Sequence, residues 1–213
     1  MAMPDKDDTG TEAQILTAAY RIIVRKGKAG TRMQEIADEA GVNKALLHYY
    51  FRSKNKIYRA VLTMVVNKLL YSFLAGVDFS LSFPNLVESF VRRHIEAIGT
   101  DQDIVQFFFA EVATNREEAL SIFWEVVEEA NPSLPGRFSA HFEEAVRKKE
   151  IRPMDPFHLF MNIISLDVFY FVASPLLFRV MEIPPAEQAE LTNKRADQVV
   201  EFVLEAIQPR EIV

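Results

Sequence analysis

Apolar side chains recur at three- and four-residue intervals along nearly the whole chain, the spacing that lines one face of an α-helix. The first such run, about Glu12 to Lys26, places Ile15, Ala18, Ala19, Ile22 and Ile23 on one stripe and ends at Gly27. Residues 30–54, GTRMQEIADEAGVNKALLHYYFRSK, then change direction repeatedly within a short span. Thr31 followed by Gln34 predicts a capping box, with Met33, Ile36, Ala37 and Ala40 facing inward. Gly41 suits the left-handed position that closes a helix, and Asn43 suits the cap of the next one. Ser53 caps a further helix that runs through Ile57, Ala60, Val61, Met64 and Val65 toward Ala75.

Beyond it the pattern predicts helices at about 84–99, 102–114, 116–130, 136–150, 156–174 and 185–208, with Pro175 and Pro209 ending the last two. There is no internal repeat or low-complexity run. The expected fold is all-α: an N-terminal three-helix helix-turn-helix domain fused to a C-terminal antiparallel helical bundle, about nine helices in total. The corresponding division is a disordered acidic tail at 1–11, a helix-turn-helix domain at 12–58 and a larger helical domain at 59–213.

Composition narrows the function. At 213 residues with 49% hydrophobic side chains, the chain can bury a real core. It has no cysteine, so disulfides, thiolate metal sites and thiol catalysis are excluded. The four histidines, His48, His94, His141 and His158, lack metal-ligand spacing, and no glycine-rich phosphate loop or nucleophile elbow is present. The expectation is therefore a non-enzyme with neither metal nor cofactor. The acidic, polar N-terminus has no apolar signal segment, which points to the cytoplasm. Residues 156–178 are apolar enough to suggest a membrane helix, but Asp167 near the centre would cost roughly 2.5–3.5 kcal/mol there. A buried helix in a protein without a membrane partner is the expectation.

Charge is unevenly distributed. Residues 13–60 carry ten basic and three acidic side chains, whereas residues 61–213 carry thirteen and twenty-three. A basic segment on an acidic body marks a localised site for a polyanion. Two short helices joined by a glycine-containing turn put the second in a DNA major groove. At 100° per residue, Leu47 and Phe51 point inward with Val42, while Ala45, Leu46, His48 and Tyr49 face out and Lys44 and Tyr50 flank them. Lysine, histidine and tyrosine can donate to base edges or phosphate oxygens, and Leu46 can touch a thymine methyl. Thr31 and Lys54 open helices whose N-termini favour an anion. Arg32, Gln34 and Arg52 are further candidates for the DNA backbone.

The run TRMQEIADEAGVNKALLHYYFRSKNKIYRAVL, residues 31–62, resembles the DNA-binding domain of the TetR/AcrR family of bacterial transcriptional regulators. IADEAGV, the YYF ending of the second helix and the SK opening the next carry the likeness. It covers residues 12–62 closely; further on, KKEIRPMDP at 148–156 is similar to the corner before the family's dimerisation helices. Transferred position by position, the resemblance implies DNA contacts at Thr31, Gln34, Lys44, Ala45, Leu46, His48, Tyr49, Tyr50 and Lys54. The chain departs from the family at Leu46, where a hydroxyl is frequent, at His48, where tyrosine is frequent, and at Lys28, which replaces the usual aromatic. Those departures leave the operator sequence unread.

The C-terminal two-thirds is rich in phenylalanine, and two acids interrupt its apolar stripes. Ile104, Phe107, Phe108 and Glu111 follow one helical face, and Phe160, Ile163, Ile164 and Asp167 another. A carboxylate there requires a partner. Either Arg92, Arg93 or Arg116 satisfies Glu111 within the fold, or the acids belong to an apolar pocket with a few polar groups. On the second reading, which matches the inducer pocket that the resemblance implies, Phe107, Phe108, Glu111, Trp124, Asn162 and Asp167 line it. The helices at about 156–174 and 185–208 need extensive cover, and the resemblance implies that they pair with their copies in a homodimer. The whole reading is of a repressor that binds a palindromic double-stranded DNA operator and is released by a small, largely apolar effector.

Overall fold

The computed structural model describes residues 6–74, 77–130 and 133–209. Among them are eleven helices and no strand, so the all-α expectation is met with two more helices than the pattern predicts. They are α1 (Lys6–Gly30), α2 (Met33–Glu39), α3 (Lys44–Phe51), α4 (Lys54–Leu74), α5 (Phe83–Thr100) and α6 (Gln102–Thr114). The remainder are α7 (Arg116–Ala130), α8 (Leu134–Arg147), α9 (Pro156–Val180), α10 (Pro185–Asn193) and α11 (Arg195–Ile207).

Several boundaries differ from expectation. Helix α1 starts at Lys6 rather than near Glu12; of the tail expected at 1–11, residues 1–5 lie outside the described residues, as does Ala75 at the expected end of α4. Gly27 does interrupt α1, at φ 68°, a conformation that glycine adopts without a side-chain clash. Pro175 does not end α9. The ring removes one N–H, but the helix continues to Val180 and closes with Met181 N–H on the Leu177 carbonyl at 2.8 Å. The expected 185–208 helix divides at Lys194, because α10 buries no side chain while α11 buries Val199, Val200, Val203 and Ile207.

The chain forms two compact units. The first contains the residues up to Leu69 together with Asp103–Glu128, and the second contains Leu70–Gln102 and the chain from Glu129 onward. In the first unit, Ile15, Ala19 and Ile23 of α1 meet a core that includes Ile36 of α2, Leu47 of α3 and Ile57 and Val61 of α4, all fully buried. Glu111 of α6 is also buried there, and none of the expected arginines satisfies it. Instead the Tyr58 hydroxyl donates to Glu111 Oε2 at 2.5 Å and Asn115 Nδ2 donates to the same oxygen at 2.6 Å. Burial, and then the adjoining Glu111 carboxylate, hold the Tyr58 hydroxyl well above its ordinary pKa, so it stays a donor. Lys28 stands 4.3 Å over the Tyr58 ring and donates to Glu118 at 2.9 Å, joining α1, α4 and α7.

The second unit is organised around α5, which packs against α8, α9 and α11. Its buried face, Phe83, Leu86, Val87, Phe90, Val91, His94, Ile95 and Ile98, follows the helical repeat without a gap. Asp167 on α9 is fully buried, and its Oδ2 lies 2.8 Å from His94 Nδ1. Arg92 serves the surface of this unit, binding Glu88 at 2.9 Å and Asp197 at 2.6 Å.

Tyr58→Phe removes one of two donors from a buried carboxylate and is expected to lower unfolding free energy by about 1–3 kcal/mol, read from urea midpoints. A loss below about half a kcal/mol would show that the Asn115 bond alone satisfies Glu111.

Candidate functional site

The helix-turn-helix is fixed by local chemistry. After Ala40, Gly41 takes φ 66°, its N–H reaches the Asp38 carbonyl at 3.1 Å, and Val42 N–H reaches the Ala37 carbonyl at 2.9 Å. These are the paired bonds of a Schellman closure, which needs the left-handed residue that Gly41 supplies. Two residues later Asn43 Oδ1 accepts the Leu46 N–H at 2.8 Å and starts α3. Ser53 Oγ accepts the Lys56 N–H at 3.3 Å and starts α4. The start of α2 is displaced by one residue from the expected capping box. Thr31 turns its hydroxyl back to the Gly27 carbonyl at 2.8 Å, and Glu35 rather than Gln34 accepts a backbone N–H, that of Arg32, at 3.3 Å.

Leu47 and Phe51 of α3 are buried, which leaves Lys44, Ala45, His48 and Tyr49 exposed, with Leu46 and Tyr50 half-buried between the faces. Tyr49 is 69% exposed and meets Tyr50 edge to face at 5.2 Å. Among the other expected contact residues, Gln34 is exposed and donates to Asp38 at 2.8 Å, and Lys54 Nζ reaches the Ala29 carbonyl at 3.4 Å. Thr31 is buried, so its side chain holds the turn rather than facing outward.

Ion pairing sorts the cations of the first unit. Arg21, Lys26, Lys28 and Arg59 are matched by Glu39, Glu35, Glu118 and Glu125. Lys44, Arg52, Lys54 and Lys56 have no carboxylate within ion-pair distance among the described residues. All four lie on α3, on α4's first turn or between them. Arg25, Arg32 and Arg116 are also without an ion pair among the described residues, but the densest group of unpaired cations is the one beside the exposed face of α3.

The expected pocket residues divide between the two units, and neither cavity described within the second unit is lined by all of them. Phe107, Phe108, Glu111 and Trp124 belong to the first unit, where Phe107 is core, Phe108 packs with Phe123 at 5.9 Å, and Trp124 is 58% exposed. Asn162 and Asp167 belong to the second; Asn162 borders a polar cleft with Asp155 and His158, and Asp167 is enclosed with His94. An apolar cavity of about 350 Å³ does exist in the second unit, lined by Val77, Phe79, Leu86, Val87, Phe90, Leu134, Pro135, Phe138, Ser139, Pro156, Phe157, Phe160 and Ile163. Of these, Phe138 and Phe160 stand out in sequence only as probable-core aromatics do, because a residue facing a void and one facing a neighbour share the same periodicity. One helical turn beyond Phe90 and Ile163, the cavity gives way to the His94–Asp167 pair, with Phe90 stacked on His94 at 5.2 Å. Among the described residues no group of His, Asp and Glu could hold a metal ion.

An all-α chain with a capped helix-turn-helix and an unpaired basic rim belongs to the class of DNA-binding regulators. Residues 15–61 match the family model of bacterial regulatory proteins, tetR family. The HTH-type transcriptional regulator RutR of Escherichia coli (strain K12) is 26% identical over 202 residues, covering 92% of this chain and 90% of RutR. The HTH-type transcriptional activator FasR of Mycolicibacterium smegmatis is 44% identical over 57 residues, 27% of this chain and 26% of FasR. The crystal structure of a bacterial regulatory protein in the tetR family from Rhodococcus RHA1 shares the fold, with a TM-score of 0.70 at 16% identity over 98% of this chain and 100% of that one. Residues 15–61 thus carry the DNA-binding domain of tetR-family regulatory proteins, and over most of its length the chain is similar to TetR-family transcriptional regulators.

Asp167 yields a prediction about pH. Burial raises its pKa above the ordinary 3.8, opposed by His94 on α5 and Arg195 on α11. The folded state therefore holds the proton more tightly than the unfolded state, and this group's contribution to stability falls as pH rises from 3.8 through the raised value. The difference in unfolding free energy between the wild type and Asp167→Asn should shift against the wild type across that window and be flat below it. A difference independent of pH would mean that Asp167 titrates alike in both states.

Proposed function

We propose that the protein is a cytoplasmic repressor that binds a palindromic double-stranded DNA operator as a homodimer and releases it when a small molecule occupies the cavity of the second unit. The observation that supports the DNA reading is the clustering of Lys44, Arg52, Lys54 and Lys56, four cations without a carboxylate partner among the described residues, on and beside α3. Lys44, Ala45, His48 and Tyr49 read base edges with Leu46 beside them. Gln34, Tyr50 and Lys54 hold the phosphates, and Thr31 sets the start of α2.

The dimer reading is supported by α9, whose Phe169, Val172 and Leu176 form an exposed apolar stripe, and by exposed Phe202 on α11. α9 is long and apolar enough to cross a membrane, yet it carries the fully buried Asp167 at its middle. A two-fold pairing of α9 and α11 covers the stripe and presents two recognition helices to half-sites about 34–36 Å apart or a multiple of that. The effector acts only through its differential affinity for dimers with matched and mismatched spacing. Phe107, Phe108, Glu111, Trp124, Asn162 and Asp167 are replaced in the effector role by the residues that line the cavity.

Fluorescence anisotropy on the DNA upstream of the protein's own gene tests the DNA reading. Binding should be sequence-selective and weaken steeply with salt. Lys44→Ala with Tyr49→Ala should abolish selectivity, and Lys54→Ala should weaken all sequences alike and reduce the salt slope by about one. Affinity without sequence preference, or none, would instead fit a helical ligand carrier that keeps only the fold. For the dimer, Phe169→Glu should shift sedimentation to the monomer and lower operator affinity at least about tenfold, because a charge would be buried at the seam; an unchanged dimer would place the interface elsewhere.

A further inference from the structure

The cavity of the second unit has an apolar wall, and one cation stacks on a ring of that wall. Its lining contains a single polar side chain, Ser139, whose hydroxyl already donates to the Pro135 carbonyl at 3.1 Å. Arg137, on the same turn of α8 as Phe138 and Ser139, lays its guanidinium over the ring of Phe79 at 4.4 Å. Phe79 is itself part of the cavity wall. No carboxylate among the described residues pairs with Arg137. A guanidinium stacked on a ring is held in plane while its N–H edges remain free to donate.

The acids nearest in sequence to the lining are already engaged. Asp78 Oδ1 accepts the Ser80 N–H at 2.9 Å, which holds its carboxyl below the ordinary range, and Asp155 Oδ1 accepts the His158 N–H at 3.0 Å.

We infer that the cavity takes an amphipathic monoanion, an apolar body inside the phenylalanine-lined space with one carboxylate at the mouth received by Arg137. This rests on the reading of the cavity as the effector site. The volume of about 350 Å³ holds about twelve methylene-sized groups, taking each as roughly the 30 Å³ a water occupies in the liquid, which is room for a ten-carbon chain. Burying such a body supplies affinity without direction, and a forked Arg–carboxylate pair supplies the orientation.

Decanoate and decan-1-ol have the same apolar length and differ in the head. Calorimetric titration of the full chain should show decanoate binding at least about tenfold more tightly than the alcohol, as expected for a charge-assisted pair. Arg137→Gln, an exposed change, should remove that advantage and leave decan-1-ol affinity within about twofold. Ser139→Phe, which projects a ring into the cavity from the exposed side of α8, should abolish binding of both; a retained thermal transition verifies that each variant is folded. If decanoate fails to bind, if the alcohol binds equally well, or if Arg137→Gln changes neither, the carboxylate assignment is overturned. When Ser139→Phe still abolishes both ligands in that last case, the cavity survives as the site and only its head-group preference fails. If Ser139→Phe leaves both affinities unchanged, the cavity itself is not where they bind, and both readings fall.

Discussion

An eight-residue helix in water does not hold its own shape, because the cost of nucleation is not recovered in two turns. The proposed reading of DNA requires α3 to be held while one side stays bare. Three devices outside its exposed face achieve this: the left-handed Gly41 closes α2, Asn43 caps the first turn, and Leu47 and Phe51 anchor the underside. Each has a strong stereochemical reason, and none uses Lys44, Ala45, His48 or Tyr49. The reading surface is therefore free to vary in sequence while its position stays constant.

The second unit answers a different problem, that of polar groups inside an apolar bundle. His94 and Asp167 satisfy one another across α5 and α9, although Asp167 Oδ1 and Arg195 Nε are buried without a hydrogen-bond partner. Arg195 gives a second donor to the Leu166 carbonyl at 2.8 Å and lies 5.0 Å over the Tyr170 ring. The charges of Asp167 and Arg195 thus compensate through space rather than by contact, and burial lowers the pKa of the guanidinium as it raises that of the acid.

What could be read from the sequence was what depends on near neighbours. Gly41, Asn43 and Ser53 were legible because a turn or cap is decided within five residues. The start of α2 was misplaced by one residue because Thr31 had two carbonyl and amide choices and took the one behind it. The partner of Glu111 was illegible: Tyr58 is 53 positions away and resembles any core aromatic until the fold brings its hydroxyl to the carboxylate. The cavity left no mark at all, since a periodic stripe records which side chains face inward but not whether anything fills the space before them.

The pairing of Arg21, Lys26, Lys28 and Arg59 with nearby glutamates has a kinetic consequence for genome-wide search. Because those cations already have partners on the protein, a domain sliding on DNA in the proposed way would touch phosphates first through the cations around α3, and its hold on arbitrary sequence would be set there. On that proposal, the same small patch would govern both how long a wrong address is held and, through the neighbouring exposed side chains of α3, how the right one is told apart.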